Sequence, residues 1–251
     1  MGTHIVVPAR LASTRLPNKP LADIGGQSMI VRVLERASKI ACDTVVAAVD
    51  APSVFDAVTR AGYEAIMTDP HHASGSDRVT EVATLCRWPD EDVVVNVQGD
   101  EPLFPADTVI RLIRVMGDGH ELATVAESIE REEDFHNPNI VKVVTNSRGD
   151  ALYFSRAPIP FARESRGESE TLKHARRHVG IYAFRVSALR EFTKIVDGHL
   201  EHTEMLEQLR WLEAGRSIRV VDSQEPVPGG VDTEEDLERV RAIYMDHHGV
   251  D

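Results

Sequence analysis

The sequence has 251 residues, of which 42% are hydrophobic and 27% are charged, close to the averages of globular proteins. Its formal net charge of −13 argues against a nucleic-acid-binding protein, which needs a basic face. No apolar run approaches the roughly 18 residues of a membrane span, so no membrane contact is expected. Cys42 and Cys86 lack the spacing of metal ligands and are predicted to be free thiols in a reducing cytoplasm.

The first half of the chain alternates short apolar runs with amphipathic stretches. Strands are predicted at residues 3–8, 44–49, 64–67 and 93–98. Between them, one helix is predicted to follow a Ser28 cap, and another to begin at Ser53, with Asp56 completing a capping box. This alternation predicts one α/β domain over residues 1–251, with a mainly parallel sheet and helices on both faces. Ligands of such sheets bind beyond the carboxyl ends of the strands.

The second half of the chain is less regular. Its predicted strands lie at residues 140–145, 151–154, 178–184 and 218–221, and an exposed loop is predicted at residues 163–177. The spacing of Met205, Leu209 and Leu212 predicts one helix over residues 203–214. Thr233 and Asp236 form a capping-box pattern that opens a final helix. Residues near 130–190 are predicted to form a smaller lobe or dimerisation arm inserted in the sheet domain.

The loop after the first strand concentrates positive charge. Arg10, Arg15 and Lys19 fall within ten residues in the run PARLASTRLPNKPL, which prolines delimit at both ends. A rigid cationic loop at a strand end can bind a triphosphate through fixed charges and backbone N–H groups. The run is neither a Walker A loop nor a Rossmann glycine fingerprint. On charge alone, a basic loop without a ligand remains the alternative.

This run resembles the opening signature of the Kdo cytidylyltransferases, also called CMP-Kdo synthetases. Further matching segments follow in order: HASGSDR (72–78), NVQGDEP (96–102), YFSR (153–156) with Ile159-Pro160, RHVGIY (177–182), residues 200–210 and GVDT (230–233). The resemblance covers nearly the whole chain. It implies a Rossmann-like sheet of the nucleotide-diphospho-sugar transferase type, in a homodimer.

The resemblance also implies a reaction. CMP would pass from CTP to the anomeric hydroxyl of 3-deoxy-D-manno-octulosonate (Kdo), and pyrophosphate would leave, for lipopolysaccharide biosynthesis. The residues that the resemblance assigns to CTP are Ala9, Arg10, Leu11, Arg15, Lys19, Ser74, Gly75, Arg78 and Gln98. Within the second nucleotide-binding loop, Asp77 has the alternative role of holding Arg78 in place.

Asp100 and Asp232 are the expected Mg²⁺ ligands. One follows a predicted strand and the other precedes a predicted helix, so either alone would be interpreted as a turn or capping residue. Both lie inside matching motifs, and Mg²⁺ takes one or two carboxylates together with phosphates and waters. We expect catalysis by charge neutralisation and metal activation of the hydroxyl, with five catalytic residues: Arg10, Arg15, Lys19, Asp100 and Asp232.

For the sugar acid, the resemblance indicates six residues: Gln98, Arg156, His178, Tyr182, Glu207 and Gln208. Arginine and histidine suit a carboxylate, and the other four suit hydroxyls. On residue type alone, Glu207 and Gln208 would be interpreted as a solvated helix face.

The sequence departs from the family pattern at three places. Asn18 stands where the family commonly has glycine, residues 163–177 form a short loop, and residues 225–230 differ locally. Four other functions stay open: the same transfer to 8-amino-Kdo, a sialic-acid cytidylyltransferase, a glycosyltransferase and a non-catalytic nucleotide-binding protein. The glycosyltransferase is disfavoured because Gln98-Gly99-Asp100 stands where an Asp-x-Asp pair would be expected.

Overall fold

The chain folds around one large mixed sheet with helices on both faces. The computed structural model describes residues 1–13, 15–161, 163, 172–196 and 198–248. The strands are β1 (Thr3–Ala9), β2 (Asp23–Ile24), β3 (Gln27–Ser28), β4 (Thr44–Val49), β5 (Glu64–Met67), β6 (Val93–Asn96), β7 (Leu122–Ser128), β8 (Lys142–Thr145), β9 (Ala151–Ser155), β10 (Arg176–Arg185) and β11 (Arg219–Asp222). The helices are α1 (Met29–Ala37), α2 (Pro52–Arg60), α3 (Gly75–Leu85), α4 (Ala106–Met116), α5 (Glu132–His136), α6 (Val186–Phe192), α7 (His199–Glu204), α8 (Leu209–Glu213) and α9 (Glu234–His248).

The main sheet has the order β11-β7-β10-β6-β1-β4-β5. Strand β10 runs antiparallel to both of its neighbours, whereas the other pairs along this path are parallel. The mainly parallel α/β sheet predicted from the sequence is therefore confirmed. One hydrophobic cluster packs α1, α2 and α4 on one face, and a second packs α3, α6 and α8 on the other. Because both faces are covered, β1 and β6 are buried apolar runs.

The carboxyl ends of three adjacent parallel strands define the edge where the ligand cleft opens. Strand β1 pairs with β4 and β6, and the segments that follow these strands begin at Arg10, Asp50 and Val97. This is the edge at which ligands of open α/β sheets bind.

Two predicted helices differ from the structure. Helix α2 begins at Pro52 after an Ala51 cap without a side-chain hydrogen bond, so the capping box at Ser53 was wrong. Proline fits the first helical position because its missing N–H needs no partner there. The helix predicted over residues 203–214 is broken into α7 and α8 at Met205, which adopts a left-handed conformation with φ 54°. The Thr233–Asp236 capping box is present, with Thr233 N donating to Asp236 Oδ2 at 3.0 Å.

A hairpin of β8 and β9 extends from β10, within the range predicted to form a smaller lobe. Strand β10 itself is central in the main sheet, and whether residues 130–190 act as a dimerisation lobe stays a prediction. The exposed loop expected at residues 163–177 lies largely outside the described residues, and its last two residues belong to β10.

Candidate active site

A cleft of about 380 Å³ opens at the carboxyl edge of β1 and β6. It gathers residues far apart in sequence that the sequence analysis had singled out. These are Ala9, Arg10, Arg15, Lys19, Gly75, Arg78, Gln98, Asp100 and Asp232. The loop after β1, the amino-terminal end of α3, the loop after β6 and the residues before α9 thus face one space. Leu11 and Ser74 lie just outside the described lining of the cleft.

The floor of the cleft is a close approach of two chain segments. Gly99 N donates a hydrogen bond to Pro8 O at 3.2 Å, continuing the pairing of β1 and β6 beyond the regular strands. A Cβ atom at Gly99 would stand 2.7 Å from Pro8 O and 3.2 Å from Ala9 Cβ. The space between the loops therefore admits only glycine at this position.

Lys19 joins the two predicted metal ligands. Its Nζ donates to Asp100 Oδ2 at 2.6 Å and to Asp232 Oδ1 at 3.0 Å. Burial lowers the pKa of Lys19, but the two carboxylates outweigh this effect and raise it above 10.5. The carboxylates, separated by more than 130 residues of chain, therefore share one cation.

This arrangement fits the donor set of Mg²⁺. In the described part of the chain, no three His, Cys, Asp or Glu side chains group to hold a metal. Mg²⁺ does not require such a group, because phosphates and waters complete its octahedron around one or two carboxylates. Asp100 and Asp232 supply two hard oxygen ligands that already converge on a positive charge.

The other loop cations are exposed and available to an anion. The side chain of Arg15 is 66% exposed, and its Nη2 lies 3.0 Å from Asp232 Oδ1. Arg10 is exposed at the edge of the cleft. Asn18 adopts φ 56°, the left-handed region that glycine favours and asparagine tolerates. Asparagine is therefore compatible with the turn before Lys19 at the position where the resemblance implies a glycine.

The amino-terminal end of α3 forms the opposite wall. Ser74 and Asp77 make a reciprocal capping box, with Asp77 N donating to Ser74 Oγ at 3.1 Å and Ser74 N donating to Asp77 Oδ2 at the same distance. Asp77 thus caps the helix and makes no described bond to Arg78. Gly75 opens the helix beside Gln98, and an added Cβ there would lie 3.7 Å from the Gln98 amide.

Arg78 is part of a buried network under the loop. Its side chain is 1% exposed, it donates to Thr68 Oγ1, and its Nη2 lies 3.3 Å from Asp50 Oδ2. The other oxygen of Asp50 accepts a hydrogen bond from Leu11 N at 2.9 Å. Arg78 therefore supports the loop after β1 through Asp50 and also lines the cleft. Asp50 was missed, although its position directly after β4 is the signal that drew attention to Asp100.

A second group of polar residues continues from this wall. Ser76 Oγ donates to Glu207 Oε2 at 2.9 Å, and burial raises the pKa of Glu207, with the hydroxyls of Ser74 and Ser76 opposing the rise. Burial, then the charge of Glu207, raises the pKa of Tyr182 well above 10. Gln208 is 4% exposed, and its Nε2 has no hydrogen-bond partner among the described residues.

Asn96 belongs to the same region and was not assigned a role from the sequence. It is paired with Tyr182 in the ladder of β6 and β10 and is 2% exposed, and its Oδ1 lacks a partner within the described part of the chain. Gln208 and Asn96 thus leave one donor and one acceptor without partners, as a region that binds hydroxyl groups would.

Arg156 is held through backbone carbonyls. Its Nε donates to Glu204 O at 2.7 Å, its Nη1 to Pro138 O at 3.0 Å and its Nη2 to Met205 O at 3.3 Å. These contacts tie the end of β9 to the segment that carries Glu207 and Gln208. A role of Arg156 in binding the sugar acid stays a prediction, as do the roles of the other assigned residues.

His178 is neutral in the folded chain. Burial, with a smaller contribution from Arg177, lowers its pKa from 6.5 to about 3, and its Nε2 lies 3.0 Å from Thr124 Oγ1. At neutral pH it can form a hydrogen bond to a sugar acid, but it does not supply a positive charge. The hydrogen-bond donation expected of histidine at a carboxylate is compatible with this neutral ring and stays a prediction.

This burial predicts a pH dependence of stability. Between pH 6.5 and about 3, the unfolded chain binds a proton at His178 that the folded chain does not. Stability therefore falls as the pH falls through this window, by about 2 kcal/mol between pH 7 and pH 5. The His178→Gln variant should lack this part of the loss in urea-unfolding measurements at both pH values. Equal losses in the variant and the parent chain would contradict the assignment.

Comparison with known proteins places this geometry in a family. The model of the cytidylyltransferase family matches residues 4–218. The chain is 47% identical over 241 residues to the 3-deoxy-manno-octulosonate cytidylyltransferase of Polynucleobacter necessarius, covering 95% of this chain and 94% of that protein. It is 45% identical over 244 residues to the enzyme of the same name from Francisella tularensis subsp. novicida, covering 96% and 98%. The chain belongs to the 3-deoxy-manno-octulosonate cytidylyltransferase family.

Solved structures agree with this membership. A CMP:2-keto-3-deoxy-manno-octonic acid synthetase complexed with CTP superimposes with a TM-score of 0.91 at 41% identity, covering 98% of this chain and 100% of that one. A cytidylyltransferase from Leptospira borgpetersenii shares the fold, with a TM-score of 0.64 at 17% identity, covering 98% and 87%. As a member of this family, the chain is a nucleotidyltransferase. Among its described helices, each is too short or too polar to cross a membrane.

Proposed function

We propose that this chain transfers CMP from CTP to the anomeric hydroxyl of Kdo, giving CMP-Kdo and pyrophosphate. The observation that carries the proposal is the convergence of the loop cations and two carboxylates on one cleft, which continues into a buried polar region. The names of the relatives at 45–47% identity support the same reaction.

The protein's part in binding CTP follows from charge. Arg10, Arg15 and Lys19 line the cleft and offset the charge of a triphosphate, including the pyrophosphate that departs. The raised pKa of Lys19 keeps its ammonium protonated at working pH. Gly75 and Gln98 lie beside each other on the opposite wall, where the nucleoside end of CTP is proposed to bind.

Asp100 and Asp232 are proposed to hold Mg²⁺. When bound, the ion would neutralise phosphate charge and favour the deprotonated form of the attacking hydroxyl. The anomeric oxygen forms a bond to the α-phosphorus, the bond to the bridging oxygen breaks, and the hydroxyl proton passes to solvent. The rate gain is proposed to come from holding the two reactants in line and from neutralising phosphate charge.

The buried polar region is proposed to bind the sugar acid. Tyr182 stays protonated and can donate a hydrogen bond, while Glu207 can accept one. Asn96 Oδ1 can accept a hydrogen bond from a sugar hydroxyl, and Gln208 Nε2 can donate one. Because both atoms are buried, water does not readily take the place of these hydroxyls. Arg156 and His178 are proposed to lie at the carboxylate end.

The assembly is proposed to be a cytoplasmic homodimer. Leu152 on β9 and Met205 are large apolar side chains that are 61% and 75% exposed, and a second copy would cover them. Light scattering after gel filtration would measure twice the mass of the chain. A monomer at micromolar concentration would contradict this part of the proposal.

The experiment that tests the function is pyrophosphate release from CTP with Mg²⁺. Kdo, its 8-amino analogue and N-acetylneuraminate are supplied in parallel. We expect rapid release with Kdo and slow or no release with N-acetylneuraminate. Release only with the 8-amino analogue would keep the chemistry and change the substrate, and no release with any of the three would contradict cytidylyl transfer.

A further inference from the structure

The residues that carry Asp232 into the cleft form an irregular segment. Residues 223–233 connect β11 to α9 without a helix or a strand. Near its end, Val231 N donates to Asp100 O at 2.9 Å, and Asp232 N donates to Asp236 Oδ2 at 3.1 Å. These bonds connect Asp232 to α9 and to the other proposed metal ligand. They do not fix the positions of the earlier residues of the segment.

The other fixed point of this segment is Val227, whose peptide groups are bound on both sides. Glu127 Oε2 accepts a hydrogen bond from Val227 N at 2.7 Å, and Arg177 Nη2 donates one to Val227 O. Arg177 Nη2 also lies 2.6 Å from Glu127 Oε1. One ion pair thus binds the N–H and the C=O of a single residue in the segment.

The ion pair lies on two paired strands of the main sheet. Glu127 on β7 and Arg177 on β10 are direct cross-strand partners in the antiparallel ladder. Their side chains are 18% and 24% exposed, and Val227 is 4% exposed within the hydrophobic core. Hydrogen bonds of charged groups to a buried peptide are stronger than those between neutral groups. The sheet therefore fixes Val227, and only four residues separate Val227 from Asp232.

Neither member of the pair belongs to the described lining of the catalytic cleft. We propose that Glu127 and Arg177 are positioning residues, which set the place of the Asp232 carboxylate beside Asp100 by clamping the peptide groups of Val227. This inference rests on the proposed function, because it concerns Asp232 as a ligand of Mg²⁺. It assigns to the ion pair a role in metal affinity that a pair serving only the stability of the sheet would lack.

The test compares variants of the pair with a neighbouring ion pair. Glu127→Gln removes the carboxylate charge, and Arg177→Lys keeps the cation but loses the planar fork. Arg176→Lys is the matched control, because Arg176 is the adjacent residue of β10 and pairs with Asp222 on β11 without contacting residues 227–232 in the described structure. Circular dichroism and urea unfolding establish that each variant is folded. If Glu127→Gln does not fold, Arg177→Lys carries the test.

The decisive readout is binding of Mn²⁺ by the protein in the presence of CTP, measured from the water proton relaxation enhancement of the protein-bound ion above that of the Mn²⁺–CTP complex in free solution. We expect about tenfold weaker Mn²⁺ binding in Glu127→Gln and Arg177→Lys and no change in Arg176→Lys. Binding of CTP in EDTA should stay within about twofold of the parent chain. The Mg²⁺ concentration for half-maximal rate should rise, whereas kcat at saturating Mg²⁺ and the KM for Kdo should change little.

Two outcomes would overturn the inference alone. One is unchanged Mn²⁺ binding in both variants, and the other is a parallel loss of CTP binding in EDTA, which indicates general distortion of the cleft. Failure of the proposed function has a different signature. If Asp232→Asn and the parent chain bind Mn²⁺ equally well with CTP, the metal site is not at Asp232, and the positioning role is overturned with it.

Discussion

Asp100→Asn is expected to lower turnover about 1,000-fold while the chain stays folded. Asparagine keeps the shape of the side chain but removes the negative charge that faces Lys19 Nζ at 2.6 Å. Loss of one of the two proposed carboxylate ligands would weaken the proposed metal site, for which a contribution to the transition state of several kcal/mol is expected, and each 1.4 kcal/mol is a factor of ten in rate. The measurement is kcat for pyrophosphate release at saturating CTP, Kdo and Mg²⁺.

The variant should not lose much stability. Asp100 is about a third exposed and Lys19 keeps its bond to Asp232, so the cation is not left buried and unpaired. Asp107→Asn is the matched control, because Asp107 is an exposed carboxylate on α4 that pairs with Arg111 outside the cleft. We expect its turnover to match that of the parent chain. Near-normal turnover in Asp100→Asn would remove Asp100 from the proposed metal site.

Much of the site could be predicted because it lies at strand ends and in contiguous motifs. Apolar runs located the strands, and the polarity change after each run placed Asp100 and the cationic loop at one edge. Parallel strands bring their carboxyl ends together whatever the intervening sequence, so residues far apart in the chain were expected to meet. Asp50 satisfies the same rule outside the recognised motifs, and Asn96 satisfies it within one of them.

The features that were missed depend on tertiary contacts. The helix predicted over residues 203–214 ends early because Met205 takes a left-handed conformation and Leu206 N closes on Glu201 O at 3.2 Å. Arg156 then binds the carbonyls of Glu204 and Met205, which a continuous helix would have used internally. The hydrophobic periodicity predicted that Met205 is buried. In the structure, Met205 is 75% exposed and Leu206 is 7% exposed. Contacts from another strand determine this break, and no local pattern encodes it.

The same limit applies to groups whose chemistry is set by burial. Glu101 follows Asp100 in the motif and was given no role, yet its Oε2 is buried and has no hydrogen-bond partner in the part of the chain that the structure describes. Burial, followed by the charge of Asp100, raises its pKa to about 7. Asp100 and Glu101 both follow β6 in the sequence. Only the packing shows that Asp100 lines the cleft and that Glu101 is buried beside it.

Gly99→Ala is expected to lower turnover about 100-fold and to cost about 1–3 kcal/mol of unfolding free energy. The added Cβ would meet Pro8 O at 2.7 Å and Ala9 Cβ at 3.2 Å, and both atoms belong to residues that β1 holds in place. The loops after β1 and β6 must separate, which moves Arg10 and Lys19 away from Asp100.

The measurements are kcat/KM for CTP and the urea-unfolding free energy. Gly229→Ala is the matched control, because a Cβ there meets only the end of the flexible Arg239 side chain, at 4.0 Å. If Gly99→Ala lost stability but kept its turnover, the loops after β1 and β6 could separate without disturbing the proposed binding of CTP. The close approach at Gly99 would then serve folding alone, and the geometry that joins Lys19 to both carboxylates would depend on the loop after β1 by itself.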